Sequence, residues 1–247
     1  MDFTGRHVVI AGASTGIGRA SAEKILALGG TVTALARSED KLASLRAAHG
    51  DRARPVACDV SDSAALAAAL DAAEACAPID ALFCNAGTGG TFAPLEAYTD
   101  ENFEQLMAVN MVAPFRAVRH VFPAMKARGR GAILVTGSLS SERGMAMNVA
   151  YVMSKHAVLG LARAAALEGA PHGVRANCLV PGFIETPLME GIPPEQLAHL
   201  ADKIPQGRLG SAAETANVAA FLLSDEASHV TGQSWAVDGG VLGTLRV

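Results

Sequence analysis

Residues 7–18 read His7-Val8-Val9-Ile10-Ala11-Gly12-Ala13-Ser14-Thr15-Gly16-Ile17-Gly18 and lead into an Ala/Leu-rich stretch that stops at Gly29. A β-branched run, a glycine turn and a helix N-terminus in this order make an anion site: glycines let the backbone approach a ligand, while free N–H groups and the helix dipole favour negative charge. The spacing is G-x-x-x-G-x-G, not the more familiar G-x-G-x-x-G. Gly12 and Gly16 are expected to shape the loop and Gly18 to let the helix pack closely on the strand. Ser14, Thr15 and Ile17 would present hydroxyl or backbone groups to a pyrophosphate.

The same alternation continues outward. Strands are expected at 7–11, 31–36, 54–58, 81–84, 132–136, 174–180 and 234–237, and helices over 17–28, 38–49, 61–76, 100–127, 149–169 and 212–223, with Ser38 and Ser61 as N-caps. This pattern predicts a doubly wound α/β domain around a seven-stranded parallel sheet, spanning 1–247 without a linker or repeat. Between 182 and 206 the alternation breaks at Pro187, Pro193, Pro194 and Pro205, and a long functional insert is expected there.

Composition narrows the function classes. Half of the 247 residues are hydrophobic and 18% are charged, enough to build a large core. The 20 basic and 24 acidic residues leave a net charge of −4, which argues against nucleic acid or an anionic membrane as partner. The longest apolar run, 64–70, is far below the ~20 residues that span a bilayer. Cys58, Cys76, Cys84 and Cys178 stand singly, without metal-ligand spacing, and no basic leader precedes the first strand. A cytoplasmic protein without a metal is therefore expected.

A dinucleotide site places a carboxylate about 20 residues beyond the glycine turn to grip ribose hydroxyls. Here Ala36 holds that place, followed by Arg37 and Ser38, a cation and a hydroxyl suited to a 2′-phosphate. NADP is favoured over NAD; the alternative is a solvated Arg37 on a turn, with Ser38 capping the next helix. Asp59, followed by Val60 at the end of the third strand, has two readings: an acceptor for an adenine amino group, or a cap for the next helix.

Of the two tyrosines, Tyr98 and Tyr151, only Tyr151 has a lysine four residues on. Tyr151 and Lys155 then project from one helix face. A phenol holds its proton at neutral pH, and a neighbouring cation favours the phenolate, which brings general acid/base chemistry within reach. Ser138 falls just beyond a strand, at the carboxyl edge where ligands bind in open α/β sheets.

These residues resemble the short-chain dehydrogenase/reductase family over essentially the whole chain. The stretch 11–18 resembles its TGxxxGIG motif, with Ala11 in place of the usual Thr. Asn85-Ala86-Gly87 matches its NAG motif, and Asn110, Ser138, Tyr151 and Lys155 match its catalytic set. Pro181-Gly182, with Ile184 and Thr186, resembles the segment that holds the nicotinamide carboxamide, and Asp238-Gly239-Gly240 the closing motif. The resemblance implies that Lys155 also bonds the nicotinamide ribose, that Asn110 orders a water linking Lys155 to solvent, and that the chain forms a homotetramer or homodimer through the helices at 100–127 and 149–169.

The substrate wall is expected from 87–95, 139–148 and the insert, with Ser140, Met145, Met147, Phe183, Leu188 and Met189 facing the pocket. Arg143 would either pair with a substrate carboxylate or remain solvated. The expected activity is NADP(H)-linked interconversion of a secondary alcohol and a ketone on a small or medium apolar molecule. Epimerisation or dehydration on the same scaffold, and cofactor sensing without turnover, are the alternatives.

Overall fold

The computed structural model describes residues 1–244, Glu39 by its backbone alone. The elements run β1 (His7–Ala11), α1 (Gly16–Ala27), β2 (Thr31–Ala36), α2 (Glu39–His49), β3 (Ala53–Ala57), α3 (Ser63–Cys76) and β4 (Ala81–Cys84). Then come α4 (Asp100–Met107), α5 (Ala113–Arg128), β5 (Gly131–Thr136), α6 (Val149–Gly169) and β6 (Val174–Pro181). The short β7 (Ile184–Glu185), α7 (Pro194–Lys203), β8 (Gly210–Ser211), α8 (Ala212–Leu223) and β9 (Ser234–Val237) complete the described chain.

Seven strands pair in parallel in the order β3-β2-β1-β4-β5-β6-β9. The central strands read as unbroken apolar runs because both faces are covered. On one face Val9, Leu82, Ile133 and Cys178 pack under α3, α5 and α6; on the other Ile10, Phe83, Leu134 and Leu179 pack under α1, α2 and α8. After β3 the chain crosses from the sheet edge to place β4 beside β1, with Ala11 paired to Cys84. The amides of Asn85 and Ala86 both donate to the Ala11 carbonyl, at 3.0 and 2.8 Å, so the loops leaving β1 and β4 diverge from a common point. A ligand crevice belongs at such a reversal of strand order.

Several sequence expectations shift here. The expected helix at 100–127 is interrupted: a π-turn, Ala108–Val112, separates α4 from α5. The third helix is capped by Asp62, whose carboxylate accepts from the amides of Ala64 and Ala65, and not by Ser61. Ser61 is instead held by Asp59, which takes its amide and its hydroxyl. Ser38 occupies the N-cap position of α2 with extended backbone, but its hydroxyl makes no cap hydrogen bond. The break in alternation extends past 206, because β7 pairs with β8 and folds the insert into a small lobe that carries α7.

At the amino-terminal end of the sheet, His7 is buried with its ring between the Ala77 carbonyl, 2.9 Å from Nδ1, and the Thr33 hydroxyl, 2.8 Å from Nε2. A neutral ring satisfies both, donating to Ala77 and accepting from Thr33. Burial pushes the imidazole below its ordinary 6.5, against smaller opposing effects of the Ala77 bond and Asp80. The unfolded chain therefore takes up this proton first as pH falls, so the contribution is whole above about pH 6.5 and declines as pH drops toward the folded-state value. Urea unfolding at pH 7.5 and 5.5 should show a loss of stability on acidification that is smaller in His7→Gln; identical pH profiles would contradict the role given to this ring.

Candidate active site

The glycine turn is shaped by close approaches. Gly12 has φ +86°, and a Cβ there would stand 2.6 Å from the Ala86 amide nitrogen. At Gly18 a Cβ would lie 2.1 Å from the Gly12 carbonyl oxygen and 2.6 Å from Asn85 Nδ2. Helix α1 thus abuts the end of β1 with no room for a side chain. Thr15 stands at its N-cap position and makes no side-chain cap, which leaves the first-turn amides directed at the crevice. This cradle and these amides suit the pyrophosphate of a dinucleotide.

Asn85 ties the turn to the next loop. Its Nδ2 donates to the Gly12 carbonyl at 3.2 Å, while its Oδ1 accepts from the Thr136 hydroxyl at 3.1 Å. The Thr136 carbonyl in turn accepts from Lys155 Nζ at 2.8 Å. Lys155 is only 4% exposed, and its ammonium lies 5.5 Å from the centre of the Tyr151 ring. The expected pairing of these two residues on one face of α6 is what the structure shows.

Asn110 sits inside the π-turn, buried, at the one place where α4 and α5 part. Its Oδ1 accepts from the Thr88 amide and its Nδ2 donates to the Thr88 carbonyl, both at 2.9 Å. A regular helix would carry this amide past the loop; the wider turn holds it there, a recurrent use of π-turns. A Cβ at Gly87 would touch both Asn110 Oδ1, at 3.4 Å, and Lys155 Nζ, at 3.7 Å. The two polar groups therefore flank the same glycine.

Ser138 follows β5. Its Oγ accepts from the Ser140 amide at 3.2 Å, and Ser141 Oγ accepts from the Ser138 amide at 3.1 Å. With an acceptor site of Oγ taken by Ser140, the hydroxyl hydrogen is available for a carbonyl or alkoxide oxygen. Ser140 itself is buried, as is Ile184 beside Gly210, whereas Met145, Met147 and Leu188 are exposed. Phe183 and Met189 are half-buried. A side chain at Gly16 would meet the Thr186 methyl at 3.2 Å, so the insert reaches the glycine turn. Gly182 lies against Asp238, whose carboxylate accepts from the amides of Gly240 and Leu242 at 2.8 and 2.7 Å.

At the adenosine end, Arg37 is exposed just beyond β2, and Val60 is buried. The Asp59 carboxyl is held below its usual range, chiefly by the Ser61 hydroxyl and amide, with a smaller contribution from the Arg37 charge. Asp59 thus serves its own turn through Oδ1. Arg143 donates to the carbonyls of Glu142 and Leu242. Among the described residues there is no cluster of His, Cys, Asp and Glu suited to a metal ion, and no helix is long and apolar enough to cross a membrane.

A separate cavity of about 480 Å³ opens at the amino-terminal edge of the sheet, far from Tyr151. Its charges are matched internally: Asp80 pairs with Arg6 and Arg130, and Arg175 donates to the carbonyls of Leu222, Ser224 and Val230. Thr88, Thr136, Ser141 and Ser154, whose Oγ accepts from Asn110 Nδ2 at 3.4 Å, had no motif to announce them. Asn148 had one, as a favoured cap residue before an apolar helix.

A family model described as enoyl-(acyl carrier protein) reductase matches residues 12–242. The chain is 35% identical to a 2-dehydro-3-deoxy-L-rhamnonate dehydrogenase (NAD(+)) of Sphingomonas sp. over 96% of both chains. It is 34% identical to a levodione reductase of Leifsonia aquatica, covering 96% of this chain and 94% of that protein. A solved gluconate 5-dehydrogenase of Burkholderia cenocepacia, in complex with NADP and tartrate, superposes with a TM-score of 0.92 at 32% identity over 99% of this chain and 98% of the other.

Gly18→Ala tests the turn. A methyl wedged against the Gly12 carbonyl should cost at least about 1–3 kcal/mol of stability and weaken binding of a nicotinamide dinucleotide, read with NADPH. Unchanged thermal melting and unchanged NADPH fluorescence titration would show that α1 does not sit where the geometry places it.

Proposed function

The chain belongs to the short-chain dehydrogenase/reductase family, and from that membership we propose that it is an NADP(H)-preferring enzyme interconverting a secondary alcohol and a ketone on a small or medium apolar substrate. It is an NAD(P)-dependent oxidoreductase in its family assignment; preference, substrate class and residue roles are the reading offered here. The observation that carries the residue roles is the buried Lys155 ammonium beneath the Tyr151 ring, next to Asn110 and at the carboxyl edge of the sheet.

When bound, a nicotinamide dinucleotide would supply the hydride for the carbonyl carbon. Tyr151 gives its phenolic proton to the oxygen as negative charge develops there, and the Ser138 hydroxyl donates a hydrogen bond to the same oxygen. Lys155 steadies the phenolate that remains and holds ribose hydroxyls. Asn110 orders the water through which the proton is replaced. In the oxidative direction the same groups act in reverse. Gly12, Ser14, Thr15, Gly16, Ile17 and Gly18 would hold the pyrophosphate, and Asn85, Ala86 and Gly87 with Pro181, Gly182, Ile184 and Thr186 would hold the nicotinamide half.

Arg37 and Ser38 would hold the 2′-phosphate, a reading supported by Ala36 where a ribose-binding acid would otherwise stand. The exposed Met145, Met147 and Leu188 favour an apolar substrate. The whole chain acts as one cofactor-binding domain, consistent with a sheet built from both ends of the described sequence. Exposed Phe115 on α5 and Met153 and Leu167 on α6 support association into a homodimer or homotetramer through these helices. The unpaired cysteines favour a cytoplasmic setting.

Turnover is measured as NADPH oxidation at 340 nm with a panel of ketones. Tyr151→Phe should lower it by ~10²–10⁴-fold with little change in cofactor affinity; a variant retaining more than about a tenth of the activity would remove the proton-donor assignment.

Cofactor choice is tested separately. A charge-assisted contact from Arg37 should contribute roughly 1.5–3 kcal/mol, about ten- to a hundredfold in favour of NADP. Ala36→Asp with Arg37→Ala should reverse the preference. Equal or better kcat/KM with NAD on the unmodified protein would discard the NADP assignment and leave the Tyr151 chemistry intact.

A further inference from the structure

The residue at the start of the Tyr151 helix does more than a cap requires. Asn148 is 1% exposed. Its Oδ1 accepts from the Tyr151 amide at 3.3 Å, and its Nδ2 donates to the Gly89 carbonyl at 2.6 Å. Capping needs only the acceptor, which Ser, Thr or Asp supplies as well. An amide offers an acceptor to the helix and a donor to a second element together.

Its neighbour points the same way. Met147 is the one non-glycine among the described residues with a positive φ, +68°. That conformation is uncommon for a long side chain and persists where the surroundings impose it. The Met147 carbonyl accepts from the Ala93 amide at 2.7 Å. Loop 88–93 is thereby fastened at Gly89 and Ala93 to the two residues preceding α6, and at Thr88 to Asn110. The loop carries Phe92, 66% exposed, while Gly89 faces Leu188 of the insert.

We propose that Asn148 is a positioning residue: its side-chain amide clasps loop 88–93 to the helix that presents Tyr151, and so fixes the distance between the proton donor and one wall of the substrate pocket. The inference rests on the reading of Tyr151 as proton donor and adds to it a residue that acts without touching the reacting atoms. Substrate binding and the chemical step are thereby separable. The donor to Gly89 governs the wall, and the acceptor from Tyr151 governs the helix start.

Two variants divide these roles. Asn148→Ser keeps a cap acceptor but is too short to reach Gly89; Asn148→Ala removes both. Hydrogen exchange of amides 88–93 needs no substrate and reads the clasp directly. In Asn148→Ser, exchange there should accelerate by about tenfold or more, the scale of one lost buried hydrogen bond, while the amides of 12–18 and the melting temperature stay near those of the unmodified protein. KM for a ketone that the unmodified protein reduces with NADPH should rise by a similar factor, with kcat within about threefold. Asn148→Ala should also lower kcat.

Unchanged exchange at 88–93 with unchanged KM in the Ser variant would overturn the clasp. A collapse of that variant's melting temperature would overturn it too, because the amide would then hold the fold rather than the loop. Failure of the Tyr151 assignment is distinguishable, since it would appear as turnover in Tyr151→Phe while exchange in the Asn148 variants still reports on the loop.

Discussion

The site depends on the absence of a side chain at Gly18. A helix whose first turn presses on the carbonyl of Gly12 leaves no volume for even a methyl group there. That contact sets the angle at which α1 leaves the sheet, and with it the direction of the first-turn amides. Asn85 reads the same carbonyl from the other side, so the loop after β4 is registered on the glycine turn rather than on its own strand alone.

From this contact a line of hydrogen bonds crosses the sheet. Gly12 meets Asn85, Asn85 meets Thr136, and the Thr136 carbonyl meets Lys155. A buried ammonium is costly unless donors find acceptors. Here the carbonyl at the end of β5 supplies one, and Tyr151 places its ring face within reach of the same charge. The π-turn performs the matching task for Asn110, trading regular helical bonds for a position in which both ends of its amide are satisfied by Thr88. Polar groups that must be satisfied and also face a ligand narrow the geometry to few solutions.

In the proposed reading, catalysis and substrate binding fall to different kinds of structure. Lys155, Tyr151 and Ser138 stand on a helix and at the end of a strand, where packing holds them. The proposed pocket rim, loop 88–93, residues 139–148 and the insert, is joined by only a few bonds. Relatives that superpose on this backbone carry names as different as levodione reductase and gluconate 5-dehydrogenase. Division between a fixed centre and a variable rim accounts for such range.

The primary sequence by itself determined the sheet, the glycine turn, the Tyr151–Lys155 face and the span of α6, because each rests on local rules: apolar runs for buried strands, glycine where the backbone closes on itself, and helical spacing for side chains that share a face. Only the tertiary structure decided the rest. The π-turn at Asn110 exists because Thr88 lies opposite it, Asp62 rather than Ser61 caps α3 because Asp59 has already taken Ser61, and the donor arm of Asn148 has a purpose only once Gly89 arrives. The π-turn and the Asn148 arm turn on polar groups distant in sequence, and the α3 cap on near neighbours competing for one hydroxyl; spacing alone carries no record of which group wins.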